Sequence, residues 1–241
     1  MMRSSNPALS DKAFKNVDTH SLGTAMTIQG TVNKTLILFG LLLFTASWAW
    51  ANPAKSLGLI FPALILGFVI ALITIFNKQW SMVSAPAYAL VEGVVLGAIS
   101  SYYETKFPGI VNQAVALTLG VLFSLLLVYK SGIIKVTNNF RLGIVAATGG
   151  IALLYFASII MGFFGASIPF IHESGPLGIG FSLFVVAIAS LNLVLDFDFI
   201  ERASKQNMPK YMEWYGAFGL IVTLVWLYLA ILRLLSKLNR R

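Results

Sequence analysis

The stretch Ala189–Ala203, ASLNLVLDFDFIERA, decides how the rest of the chain is read. It sets Asp196 at the far end of a run from Leu177 that is otherwise almost wholly apolar. A carboxylate in hydrocarbon costs roughly 2.5–3.5 kcal/mol on insertion scales, so an acid in such a place marks a functional site by default. Asn192 lies four residues earlier, which on a helix sets its amide and the Asp196 carboxyl on one face, a turn apart. That face is expected to look inward.

Composition turns this local reading into a class. The chain has 241 residues, 58% of them hydrophobic and only 11% charged, with a mean hydropathy of +0.83. Such a chain is an all-α integral membrane protein, far outside the range of soluble domains. There is no Cys, which excludes disulfides, thiolate metal sites and cysteine nucleophiles together. The formal charge is +8, but Lys and Arg fall between apolar runs and at the two ends. That pattern flanks membrane spans and does not indicate nucleic acid.

Taken in order, residues 1–34 form a polar segment that reads as a retained, disordered tail, and residues 35–241 read as the transmembrane domain. The first apolar run, Leu36 to Trp50, is short for a span of about 20 residues. Leu57 to Phe76 follows, with Pro62 either kinking it or sitting in its first turn. Trp80 is placed as an interfacial anchor. Met82 to Tyr103 contains Pro86 and a second intramembrane acid, Glu92, followed by Gly93 and Gly97. Ile110 to Val128 is a clean span, and Lys135 and Arg141 lie in a basic connector. Leu142 to Phe164 carries Gly149, Gly150 and Gly162, with Gly165 just beyond, the composition that permits close helix approach. Ser167 to Pro176 reads as a loop, Leu177 to Phe197 as the sixth span, Asp198 to Lys210 as a connector and Trp214 to Leu235 as the seventh span. Lys237, Arg240 and Arg241 form a basic tail.

Orientation follows from Lys and Arg. With the N-terminus in the cytoplasm, Arg3, Lys12, Lys15, Lys34, Lys78, Lys130, Lys135, Arg141, Arg202, Lys205 and Lys210 are cytoplasmic, eleven of the seventeen. This favours an N-terminus inside. Four of the other six, Arg233, Lys237, Arg240 and Arg241, fall at the end that seven spans place outside. Either one segment is re-entrant, or a C-terminal tail has less say in topology than early loops.

Glu92, Asp196, Asp198 and Glu213 are the acids in or near the membrane. For Glu92 and Asp196 the choice is between a carboxyl held by a neighbouring helix and a proton- or cation-responsive site. Asp198 and Glu213 read as solvated charges at helix ends. His20 and His172 lie outside the spans, and neither belongs to a metal-ligand pattern. Without a GxSxG turn, an intramembrane histidine or an Asp on the final span, the residues do not describe an enzyme.

Three stretches together resemble the Bax inhibitor-1/YccA family, in its bacterial branch: AYALVEGVVLGAISSYYE (Ala87 to Glu104), LNLVLDFDFIERA (Leu191 to Ala203) and EWYGAFGLIVTLVWLYLAILRLL (Glu213 to Leu235). The resemblance implies about seven transmembrane helices, six surrounding a central C-terminal one, in a bacterial inner membrane. It also implies a pH-sensitive calcium leak latched by two aspartates. Asp196 matches the first of these; the second aligns with Thr223, so the partner carboxylate is missing and Asp196 would need Glu92, Asp198 or Glu213 instead. On this reading Asp196, Asn192, Thr223 and Glu92 would offer oxygens to a weakly held, transient calcium ion, with no resident cofactor. An alternative that the resemblance suggests is a regulatory partner of a membrane-bound protease or stress-response complex, engaging the polar tail. A proton-coupled transporter would use the same acids.

Overall fold

The computed structural model describes residues 25–165, 173 and 175–240. These residues form seven long helices: α1 (Ile28–Ala51), α2 (Pro53–Phe76), α3 (Ser81–Lys106), α4 (Ile110–Lys130), α5 (Asn138–Phe163), α6 (Pro176–Lys205) and α7 (Met212–Leu238), with a 3-10 turn at Lys78–Trp80 before α3. All seven are long and apolar enough to cross a membrane. Even α4, with 21 residues, rises about 32 Å, against a hydrocarbon core of about 30 Å. The start of α1 lies beside the α6–α7 connection, where the Met26 N–H donates to the Met208 carbonyl at 2.7 Å. At the opposite end, the Arg240 guanidinium lies 6.0 Å from the Phe107 ring at the α3–α4 connection. The bundle thus has a first face, where α1 begins, and a second face, where α7 ends.

Two boundaries differ from those that composition suggests. The polar residues Ile28 to Lys34 are the opening turns of α1, not tail. Thr27 caps them by accepting from the Gly30 N–H at 2.8 Å, and the Thr31 and Thr35 hydroxyls donate to carbonyls one turn back, at 3.0 and 2.9 Å. These internal bonds let polar residues extend a short apolar run into a helix of 24 residues. Likewise α6 runs on to Lys205, through most of the expected connector. Its charges pair along the helix, Asp198 with Arg202 and Glu201 with Lys205, each at i,i+4. Residues 1–24 and most of the Ser167 to Pro176 loop, His172 included, lie outside the described residues.

Pro53 starts α2 at a position where its missing N–H costs nothing, and the buried Ser56 hydroxyl donates to the Ala49 carbonyl at 2.9 Å. Pro62 lies inside α2, not in its first turn. Trp80 is 67% exposed, as an interfacial anchor should be.

α7 is the centre. Helices α1, α3, α4 and α6 pack directly on it, while α2 and α5 complete the surround mainly against α3 and α6. The closest approach joins α1 to α3. A methyl group at Gly93 would lie 2.0 Å from Thr45 Oγ1 and 2.3 Å from the Leu42 carbonyl oxygen, and one at Gly97 would lie 2.2 Å from the Ala46 carbonyl oxygen. Gly93 and Gly97 form a small-xxx-small pair, which lets backbones meet where no hydrophobic force drives association. The expected role of Gly149, Gly150, Gly162 and Gly165 is not realised, since all four have open space where a side chain would be.

Gly97→Val should force α1 from α3 and destabilise the fold by about 1–3 kcal/mol, the range for overpacked cores. Gly149→Val should leave the thermal midpoint in detergent near the wild-type value. Equal midpoints for the two variants would remove the α1–α3 contact from the account.

Candidate proton and cation site

Asp196 projects from α6 towards α7. Gly219 leaves room for it: Asp196 Oδ1 is 3.8 Å from where a Gly219 side chain would begin. Thr223, one turn further along α7 and buried, turns its side chain to the carboxyl. The other oxygen, Oδ2, is shielded from solvent and has no hydrogen-bond partner. Within the membrane such an atom has no bulk water to complete its bonding. The position that the family resemblance aligns with a second aspartate therefore faces Asp196, and it holds a hydroxyl.

The other residues read as neighbours of Asp196 are dispersed. Asn192 sits a turn away but gives its amide to the Thr148 hydroxyl on α5 and to the Ile188 carbonyl, both at 2.9 Å. The offset of 40° between residues four apart on a helix is enough to send the two side chains to different partners. Glu92 is 8% exposed and faces α2, with Oε2 3.3 Å from where a Gly67 side chain would begin. Asp196 faces α7 instead. Asn192 and Glu92 therefore do not join Asp196 and Thr223 in one set of ligands.

Asp198 and Glu213 are not the solvated charges that their positions suggest. Asp198 receives Arg141 Nη2 of α5 at 2.9 Å and Arg202 Nη2 of its own helix at 2.8 Å. Glu213, 2% exposed, accepts the Thr27 N–H at 3.1 Å and the Thr27 hydroxyl at 3.0 Å, and pairs with Lys34 at 3.0 Å. Glu201, assigned to a loop by sequence, accepts from the Tyr129 hydroxyl of α4 and pairs with Lys205. The first face is thus laced by acids that tie α1 to α7, α5 to α6 and α4 to α6, and their charges are committed. Gly30 is the residue that sequence reasoning missed here. A methyl group on it would lie 2.0 Å from Glu213 Oε1, yet a lone Gly in a polar segment gives no such signal.

The described residues contain no group of three or more His, Cys, Asp or Glu able to hold a metal. A tightly bound calcium ion takes six to eight oxygens. At the level of Asp196 the protein offers the carboxylate and the Thr223 hydroxyl, fewer oxygens than a tightly bound calcium ion takes.

Removing the Glu213 carboxylate should release the segment before α1. Breaking a buried ion pair costs about 3–5 kcal/mol, and Glu213→Ala should approach the lower figure because Lys34 retains some contact with solvent. Gly30→Ala should reproduce the effect by displacing the same carboxylate. Limited proteolysis near residues 25–27 checks both; wild-type resistance in the two variants would contradict the assignment.

The family described as Bax inhibitor 1 like matches residues 6–240. No curated protein matches the chain.

Proposed function

The chain belongs to the Bax inhibitor 1 like family, and we propose that it is a non-enzymatic, pH-responsive leak for cations, calcium foremost, with Asp196 as its sensor. The observation that carries this reading is Asp196 Oδ2, a shielded carboxyl oxygen with no partner, in a bundle whose acids at the first face are all paired. An oxygen so placed is available to a proton or to a cation. When Asp196 is ionised it attracts a cation and offers it an oxygen, the Thr223 hydroxyl offers another, and water supplies the rest. When Asp196 takes up a proton, that attraction is gone. Weak, partial coordination of this kind is what conduction requires, because the ion must also leave.

The face of α7 that continues from Asp196 is only partly covered by the protein. Gly219, Val222, Trp226 and Leu229 are partly exposed residues of α7, spaced by three and four positions and so aligned on one face of the helix. Val222 and Trp226 lie on the second-face side of Asp196, where a cation would leave the site. The first face carries Lys34, Lys78, Lys130, Lys135, Arg141, Arg202, Lys205 and Lys210. That bias supports a cytoplasmic first face, and the family resemblance supports a bacterial inner membrane.

Wild-type protein in liposomes loaded with a calcium dye should give a flux that changes when the pH is stepped between about 6 and 8. Asp196→Asn should flatten that dependence, and Glu92→Gln, on a side chain facing elsewhere, should keep it. Equal flux from wild type and Asp196→Asn across the range would overturn the proposal.

A further inference from the structure

A second feature lies at the opposite end of α7, away from Asp196. On the second face a groove of about 410 Å³ opens between α2, α3 and α7. Its lining is ordered by depth. Leu57, Tyr103 and Arg233 lie within about four or five residues of their helix ends, the level at which interfacial anchors sit. One turn deeper on the same three helices, Ile60, Ile99 and Leu229 make the wall apolar. A cation at headgroup level above an apolar slot is the pattern that an amphiphile with an acidic head would match.

The charges around Arg233 point the same way. Arg233 makes no ion pair with a carboxylate among the described residues; its guanidinium lies 4.9 Å from the Tyr155 ring of α5, which leaves donors on the planar fork for another acceptor. Lys106, whose ammonium lies 4.4 Å from the Tyr102 ring, adds a second cation at the rim, since Tyr102 also lines the groove. Lys237, placed in the basic tail by sequence, is a buried residue of α7 and donates to the Gly178 carbonyl at 2.9 Å. The nearby acid, Glu104, is committed: its carboxylate accepts the N–H groups of Gly109 at 2.6 Å and Val111 at 3.1 Å, at the start of α4. The second face therefore presents positive charge, and none of the residues lining the groove is a carboxylate.

We infer that this groove binds an anionic phospholipid of the surrounding membrane, with the phosphate on Arg233 and one acyl chain lying between α2, α3 and α7. The bilayer supplies the occupant, charge complementarity selects the anionic headgroup, and the apolar layer one turn deeper takes the chain. The groove does not include Asp196 or Thr223, and its test reads lipid retention and not flux.

Native mass spectrometry of the full chain, released from micelles containing equal phosphatidylglycerol and phosphatidylcholine, reads this directly. Wild type should retain phosphatidylglycerol in preference to phosphatidylcholine. Arg233→Gln should lose that retention by about tenfold, the scale of one charge-assisted contact. Leu229→Trp, which keeps Arg233 and fills the slot, should lose it too, while Arg240→Gln should not. Circular dichroism melting confines the comparison to folded variants, and Arg233→Lys, which preserves the charge, should retain part of the preference. Equal retention of the two lipids by wild type, unchanged retention in Arg233→Gln, or displacement of the lipid by excess glycerol phosphate would each overturn the inference.

Discussion

In hydrocarbon no water is at hand to complete a hydrogen bond, and the seven helices are arranged around that constraint. Most polar residues inside the spans find partners within the protein. The Thr74 hydroxyl donates to Ser84 at 2.7 Å, Ser100 and Tyr228 share a hydrogen bond at 2.6 Å, and the Thr118 hydroxyl returns to the Ala114 carbonyl at 2.7 Å. The acids of the first face are satisfied by Arg, Lys, Thr and Tyr. Against this background two intramembrane acids stand apart, Glu92, which makes no hydrogen bond or ion pair among the described residues, and Asp196, whose Oδ2 is unpartnered; the functional reading rests on the second, which faces the Thr223 hydroxyl of α7.

The same constraint explains how the site is held. Association in a membrane cannot draw on the hydrophobic effect, so close backbone contact and internal polar bonds must do the work. Gly93 and Gly97 bring α1 against α3. Gly30 lets the Glu213 carboxylate reach Thr27 and Lys34, which binds α1 to the start of α7. Glu213 and Gly219 belong to the same helix, less than two turns apart, so the clasp at the first face helps fix the surface that Asp196 meets. The Arg141–Asp198 pair does the same for α6 from its other side. Asp196 thus meets a fixed surface of α7 through Thr223 alone, with its second oxygen left unpartnered.

Much of the fold was legible in the sequence because apolar length is a direct record of membrane thickness. Seven runs separated by charge gave seven helices, and their order was right throughout. The ends were misread where polar residues are helical: Ile28 to Lys34 and Asp198 to Lys205 bond along their own helices, and composition does not record that. Glycines were misassigned for a related reason. Their number in α5 suggested packing, whereas packing depends on which helix lies opposite, and Gly93 and Gly97 differ from Gly149 and Gly150 only in that respect. Asp196 was legible as an isolated charge, and its relation to Thr223 came from the resemblance. The separate directions of Asn192, Glu92 and Asp196 were not legible, since one turn of helix fixes spacing but not the neighbour that each side chain reaches.

The central claim is that Asp196 exchanges a proton with its surroundings in the intact bundle. Infrared difference spectroscopy of the protein in lipid, on stepping the pH between about 6 and 8, reads carboxyl protonation directly. The account predicts a carboxyl band that responds to the step in wild type, persists in Glu92→Gln and is absent in Asp196→Asn. A responding band that survives Asp196→Asn and vanishes in Glu92→Gln would contradict it.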